Sequence, residues 1–157
     1  MSYVDKILQP DETVRHTAYI HWLIYLPALV FAAAAILVVV LVTMNIGDIG
    51  TSWRELALIA AAILGVIAFY LLLRAWITRF STELVATDRR VIYKRGLIRR
   101  YTAEMGMEKV ESVLVEQSIL GRIFNYGTIT IRGTGGGIEP LANIDDPIAF
   151  RNHVTAA

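Results

Sequence analysis

Eight of the fifteen basic residues fall between Arg74 and Glu104, against three acids, so this stretch carries +5 while Met1–Leu73 and Met105–Ala157 each carry −2. Such a block can hold anionic phospholipid headgroups, at roughly 1 kcal/mol per cation near a membrane surface. The candidate contacts are Arg79, Arg89, Arg90, Lys94, Arg95, Arg99 and Arg100, with Arg89, Arg90, Lys94 and Arg95 foremost. Two plainer duties compete for the same residues: positive charge beside an apolar segment sets topology, and charge on exposed strands prevents edge pairing. Strand alternation also divides the set, placing Arg90 and Lys94 on one face and Arg95 on the other. The whole chain is nearly neutral, at +1, which argues against a nucleic-acid partner.

Other residue types offer less chemistry. Gly133–Gly137 (GTGGG) is rich enough in glycine to cradle a phosphate, but it lacks the lysine and precedes a strand pattern, so it reads as a hairpin turn. His16, His21 and His153 show no metal-ligand spacing and are assigned topology and surface roles. Glu108, Glu111 and Glu116 read as a solvated face, and Asp48 stands alone. There is no cysteine, which excludes disulfides and thiolate chemistry, and no nucleophile elbow. The expectation is a protein that is not an enzyme, with no cofactor, no metal and no catalytic residue.

The elements that must position these residues are organised around a pair of apolar runs. Trp22–Met44 and Leu56–Leu73 contain no charged residue. As helices they would reach about 34 and 27 Å, close to the roughly 30 Å of bilayer hydrocarbon. They predict a transmembrane hairpin over 22–77, with spans 22–44 and 56–77, flanked by an N-terminal segment 1–21 and a domain 78–157. Trp22 and Tyr25 suit an interfacial belt, Pro27 is a candidate kink, and Ser52 with Glu55 forms a capping-box pattern. Ala32–Ala35 and the Ala61/Gly65 pair offer small surfaces for helix packing, within one hairpin or between copies. The positive block after the second run places both termini in the cytoplasm and the loop outside.

From Phe80 onward the apolar period changes to two. Strands are predicted at Thr82–Ala86, Arg90–Arg95, Leu97–Glu104, Lys109–Gln117, Tyr126–Arg132 and Ile138–Ile144. Ser118 reads as the cap of a single helical turn, and Asp146-Pro147 as the start of a final helix, Pro147–Thr155, whose Phe150 would plug the open end of a small barrel. Glu12–Ile20 alternates weakly and, if a strand, must pair with the C-terminal domain. The fold class is thus a membrane α-helical hairpin plus an all-β domain of about seven short strands with a C-terminal helix.

Three stretches carry a resemblance. Glu83–Ile98 (ELVATDRRVIYKRGLI), Lys109–Val113 with Gln117–Thr128 (QSILGRIFNYGT), and Ile144–Pro147 with Phe150 resemble, in order, the bacterial pleckstrin-homology (PH)-like domain of small membrane proteins, which also follows a two-helix hairpin. The resemblance implies a PH-like fold of two orthogonal antiparallel sheets and a bacterial inner-membrane, multi-pass location. It implies no reaction. The expected task is a scaffold or adaptor at the membrane surface. Its partners would be the lipid bilayer together with an unidentified membrane or cytoplasmic protein, or a second copy in a homo-oligomer. Anionic-lipid binding by the basic hairpins, or service as an accessory subunit of a transporter or protease, are the alternatives.

Overall fold

The structure, a computed structural model, describes residues 7–44, 50–97 and 100–155. It divides into two compact units, Trp22–Ile77 and a second made of Met1–His21 with Thr78–Ala157.

The first unit is helical. A 3-10 turn, Trp22–Tyr25, leads into α1, Leu26–Thr43. Pro27 therefore sits in the first turn, where an amide would have no intrahelical partner, and it starts the helix instead of kinking it. Helix α2 spans Thr51–Ser81. The Gly50 carbonyl accepts the first amides, from Trp53 at 3.0 Å and Arg54 at 3.3 Å. Ser52 thus lies inside the first turn, two positions past the one a capping box requires, and α2 starts five residues before the predicted Leu56. At 31 residues α2 extends about 46 Å, carrying Arg74, Trp76 and Arg79 in its last turns beyond the apolar run. The buried seam consists of Ala28, Ala35 and Val42 on α1 and Ala61, Ala68 and Ala75 on α2. Each set recurs every seven residues, the spacing that keeps one helix face on a neighbour while small side chains let the backbones approach.

Both helices are long and apolar enough to cross a membrane, and only 11% of the most apolar window of each is buried. Leu37, Val66 and Phe69 are more than half exposed. A soluble core helix would hide such side chains, so their outward placement associates the chain with a membrane.

The second unit is built from two antiparallel sheets. The first contains β1 (Val14–Ala18), β2 (Glu83–Thr87), β3 (Arg90–Arg95) and β4 (Tyr101–Gly106) in that order. The second contains β5 (Val110–Glu116), β6 (Tyr126–Gly133) and β7 (Gly136–Asp145). The weak alternation before the first apolar run is a true strand: β1 pairs with β2, with Ala18 opposite Leu84. Consequently, the segments before α1 and after α2 lie on the same side of any bilayer that both helices cross. The third predicted strand starts later than expected, at Tyr101. The glycine-rich stretch is a hairpin reduced to Thr134-Gly135, with Gly135 at φ 89° and Gly133 opposite Gly136. Pro140 lies in β7, an edge strand, beside a register shift where Ile131 faces Ile138 and Ile129 faces Leu141.

The core lies between the sheets. Leu84, Ala86, Val91 and Tyr93 meet Ile129, Ile131, Leu141 and Ile144. Helix α4, Pro147–Thr155, has the predicted bounds, with Asp146 Oδ1 accepting from the Ala149 amide at 3.3 Å. It buries Pro147, Phe150 and Val154, and Phe150 is fully buried in the core. Ile148 is 41% exposed and takes no part in that face. A short helix α3, Ile119–Ile123, interrupts the second sheet between β5 and β6.

Candidate functional site

Register separates the basic residues into two groups. The chain leaves this unit after His21, just beyond Ala18, and returns at Thr78, just before Glu83. Ala18 pairs with Leu84, Glu83 with Lys94, and Arg95 with Tyr101, so one end of the first sheet gathers both connections to the helices, together with Lys94, Arg95 and Arg100. We call this the anchored end. The β2–β3 turn lies at the opposite end, where Val14 pairs with Thr87 and Arg90 with Gly106. Arg89 and Arg90 are therefore far from the anchored end, and one surface cannot use all four of the foremost candidates.

Arg90 is committed elsewhere. Its Nε donates to Glu12 Oε1 at 2.9 Å and its Nη2 to Glu12 Oε2 at 2.8 Å, a two-point pair with a carboxylate whose side chain is wholly buried. Nη1 donates to Glu104 at 2.8 Å and Nη2 also to the Ile7 carbonyl at 2.9 Å. The Thr87 hydroxyl and the Gln9 amide complete the Glu12 shell at 2.8 and 2.9 Å. Burial pushes the Glu12 carboxyl up. Hydrogen bonds from Arg90, Gln9 and Thr87, with the Arg90 charge, outweigh that and hold it at about 2. This cluster fastens residues 7–12 across the outer face of the first sheet, where Ile7 and Leu8 pack on Val85 and Ile92. Arg90 is a structural pin, and the headgroup role assigned from sequence is withdrawn for it.

The other candidates divide by exposure. Arg89 is 52% exposed and 4.0 Å from Asp88. Lys94 is mostly covered and 4.0 Å from Glu83. Arg95 and Arg100 are exposed, and Arg79 is exposed in the last turn of α2. Arg95 lies beside Tyr93, whose phenol is pushed up by burial, an effect the Arg95 charge partly offsets. Arg99 lies outside the described residues.

The expected helix-packing residues also separate. Ala35 and Ala61 are buried within the hairpin. Ala32 and Gly65 are half-buried and border an apolar groove of about 320 Å³ shared with Ala28, Ala68 and Phe69.

The histidines differ in exposure: His153 is exposed, as expected from sequence, whereas His16 is half-buried and His21 is buried. His21 is 6% exposed, its amide donates to the Asn143 carbonyl at 2.7 Å, and its ring stacks on Tyr126 at 5.4 Å. His16 stacks on His153 at 4.7 Å, with Phe150 edge-on to it at 6.0 Å. Burial, then the His153 charge, lowers the His16 value, with Asp146 opposing. These pairs join residues more than a hundred positions apart, and local pattern gives no signal for such contacts. Among the described residues, no three His, Asp or Glu side chains gather as a metal site would require.

A further feature was not anticipated. Ile119, Leu120 and Ile123 of α3 are 80%, 54% and 68% exposed. The segment is held firmly: Ser118 Oγ accepts from the Gly121 amide at 3.0 Å, and Gln117 Nε2 donates to the Gly121 and Tyr126 carbonyls. A Cβ on Gly121 would meet the Tyr126 carbonyl oxygen at 2.6 Å, so only glycine fits there.

Two antiparallel sheets capped by a C-terminal helix, following a pair of helices long and apolar enough to cross a membrane, define a PH-like fold. The model of the Bacterial PH domain family matches residues 22–157, and the chain belongs to that family. Comparisons with curated proteins and with solved structures returned no match.

Proposed function

We propose that this chain is a non-enzymatic, membrane-anchored interaction module of the bacterial inner membrane. The hairpin holds the PH-like domain at the cytoplasmic face, and the domain captures an extended segment of a partner protein or of another copy. One observation carries this reading. The sheets are joined on one side by the Ile20–Ile144 bridge, while on the other β4 ends the first sheet and β5 ends the second. Among the described residues neither strand has a neighbour on its outer side, and no residue of β4 is buried. A terminal strand offers backbone donors and acceptors to which an incoming strand can add. Because the anchor already fixes the location, lipid recognition is not needed for recruitment.

Capture by the full chain in mild detergent tests this. A stoichiometric partner or second copy is expected, lost when lysines are placed at Thr102 and Leu114, two exposed edge positions. A chain that purifies alone, or retains its partner unchanged after Thr102→Lys and Leu114→Lys, refutes it.

The second reading, anionic headgroup contact, is favoured by Arg95 and Arg100, both exposed at or beside the anchored end. Arg95→Glu with Arg100→Glu would alter domain orientation on anionic bilayers and leave partner capture intact.

A further inference from the structure

We infer that α3 is a membrane foot: Ile119, Leu120 and Ile123 insert into the bilayer interface beside the point where the chain enters its first span. Three observations meet here. Three exposed aliphatic side chains within five residues are a costly display for a soluble surface. The polar members of the same segment are Ser118 and Arg122, the latter exposed and suited to phosphate oxygens at the same depth. Placement supplies the occupant. Tyr126, three residues after Ile123 and so within about 10 Å of chain, stacks on His21, the residue that precedes Trp22 and the first apolar helix. Gln117 and Gly121 lock α3 to Tyr126, so the apolar tip and the chain's path into the bilayer belong to one rigid corner of the domain. The bilayer is thus already present at that corner at high effective concentration, and no partner has to be recruited.

The inference rests on the hairpin spanning the membrane but not on partner capture. It assigns α3 the task of fixing the orientation of the domain, which leaves the β4 and β5 edges available. Interfacial contacts of this kind draw strength from buried apolar area together with attraction to anionic lipid.

The chain has no cysteine, so a single introduced one carries a unique probe. Ile119→Cys and Ile123→Cys, each labelled with an environment-sensitive fluorophore, are reconstituted as full chain in vesicles of mixed zwitterionic and anionic phospholipid. Thr134→Cys, in the hairpin at the other end of the second sheet, serves as the aqueous reference, and Val66→Cys on α2 as the lipid reference. The expected result is quenching by nitroxide-bearing lipid and at least about threefold less quenching by aqueous iodide than at position 134, at every protein-to-lipid ratio. Iodide access equal to position 134 overturns the proposal. So does protection that fades as protein is diluted in lipid, since that marks contact with a second copy. If the Val66 probe is itself aqueous, the membrane reading fails first, which separates the two failures.

Discussion

At the scale of single residues, Glu12 and Arg90 show how a charge that looks available in sequence is absorbed by the fold. The pair lies 78 positions apart, so no spacing rule links the acid before the first apolar helix to the arginine after the second. Removing one partner of a buried pair leaves the other charge unsolvated, and Glu12→Gln is expected to cost about 3 kcal/mol in chemical denaturation of the reconstituted protein. The folded-state value of Glu12 lies below its ordinary 4.5, at about 2. Its stabilisation is therefore complete above about pH 4.5 and lost as pH falls toward 2. His16 acts in a higher window: its value is lowered from 6.5, so its contribution is present above that pH and declines below it. Stability measured against pH should thus fall in two steps, with His16→Phe erasing the upper and Glu12→Gln the lower. A single step unaffected by His16→Phe would contradict the assignment of the stacked His16–His153 pair.

At the scale of elements, the strands with a clear period of two were legible. Arg90–Arg95 and Pro147–Thr155 have the predicted bounds because the Thr87-Asp88-Arg89 and Gly96 turn residues bracket the first, and an Asp-Pro start marks the second. The strand after Gly96 begins later than alternation alone indicates, since Leu97 satisfies the alternation while β4 starts at Tyr101. The order of the strands and the faces they cover were not legible, because pairing depends on contacts remote in sequence. The consequence is sharpest for β1. It completes the first sheet, and Ala18 belongs to the core with Leu84 and Phe150. A fragment of residues 78–157 therefore exposes part of its core. It is expected to lack a cooperative thermal transition by circular dichroism, while fusion of residues 1–21 restores one. Phe150→Ala, which empties the centre of the domain, should cost about 3–5 kcal/mol. A cooperative 78–157 fragment, or a Phe150→Ala protein of unchanged stability, would mean that the core is not assembled as described.

At the scale of the whole molecule, one domain is assembled from the two ends of a chain whose middle is a pair of membrane-length helices. That connectivity keeps both flanks on one side of any bilayer that both helices cross, an arrangement the charge distribution also favours. The site was less legible than the fold. The basic block was visible, but its division between the anchored end and the far end follows from register, and the apolar tip of α3 was hidden inside a motif that reads as a helical turn. The measurement that bears most directly on the account is sidedness. Single cysteines are introduced at Asp11, Thr134 and Thr51, and each is exposed to a membrane-impermeant thiol reagent in intact cells and in inverted vesicles. Positions 11 and 134 are expected to react only from the cytoplasmic side and position 51 only from the outside. Reaction of position 51 from the same side as position 134 would show that the helices do not cross the membrane as a hairpin, and the anchored-module reading would fall with it.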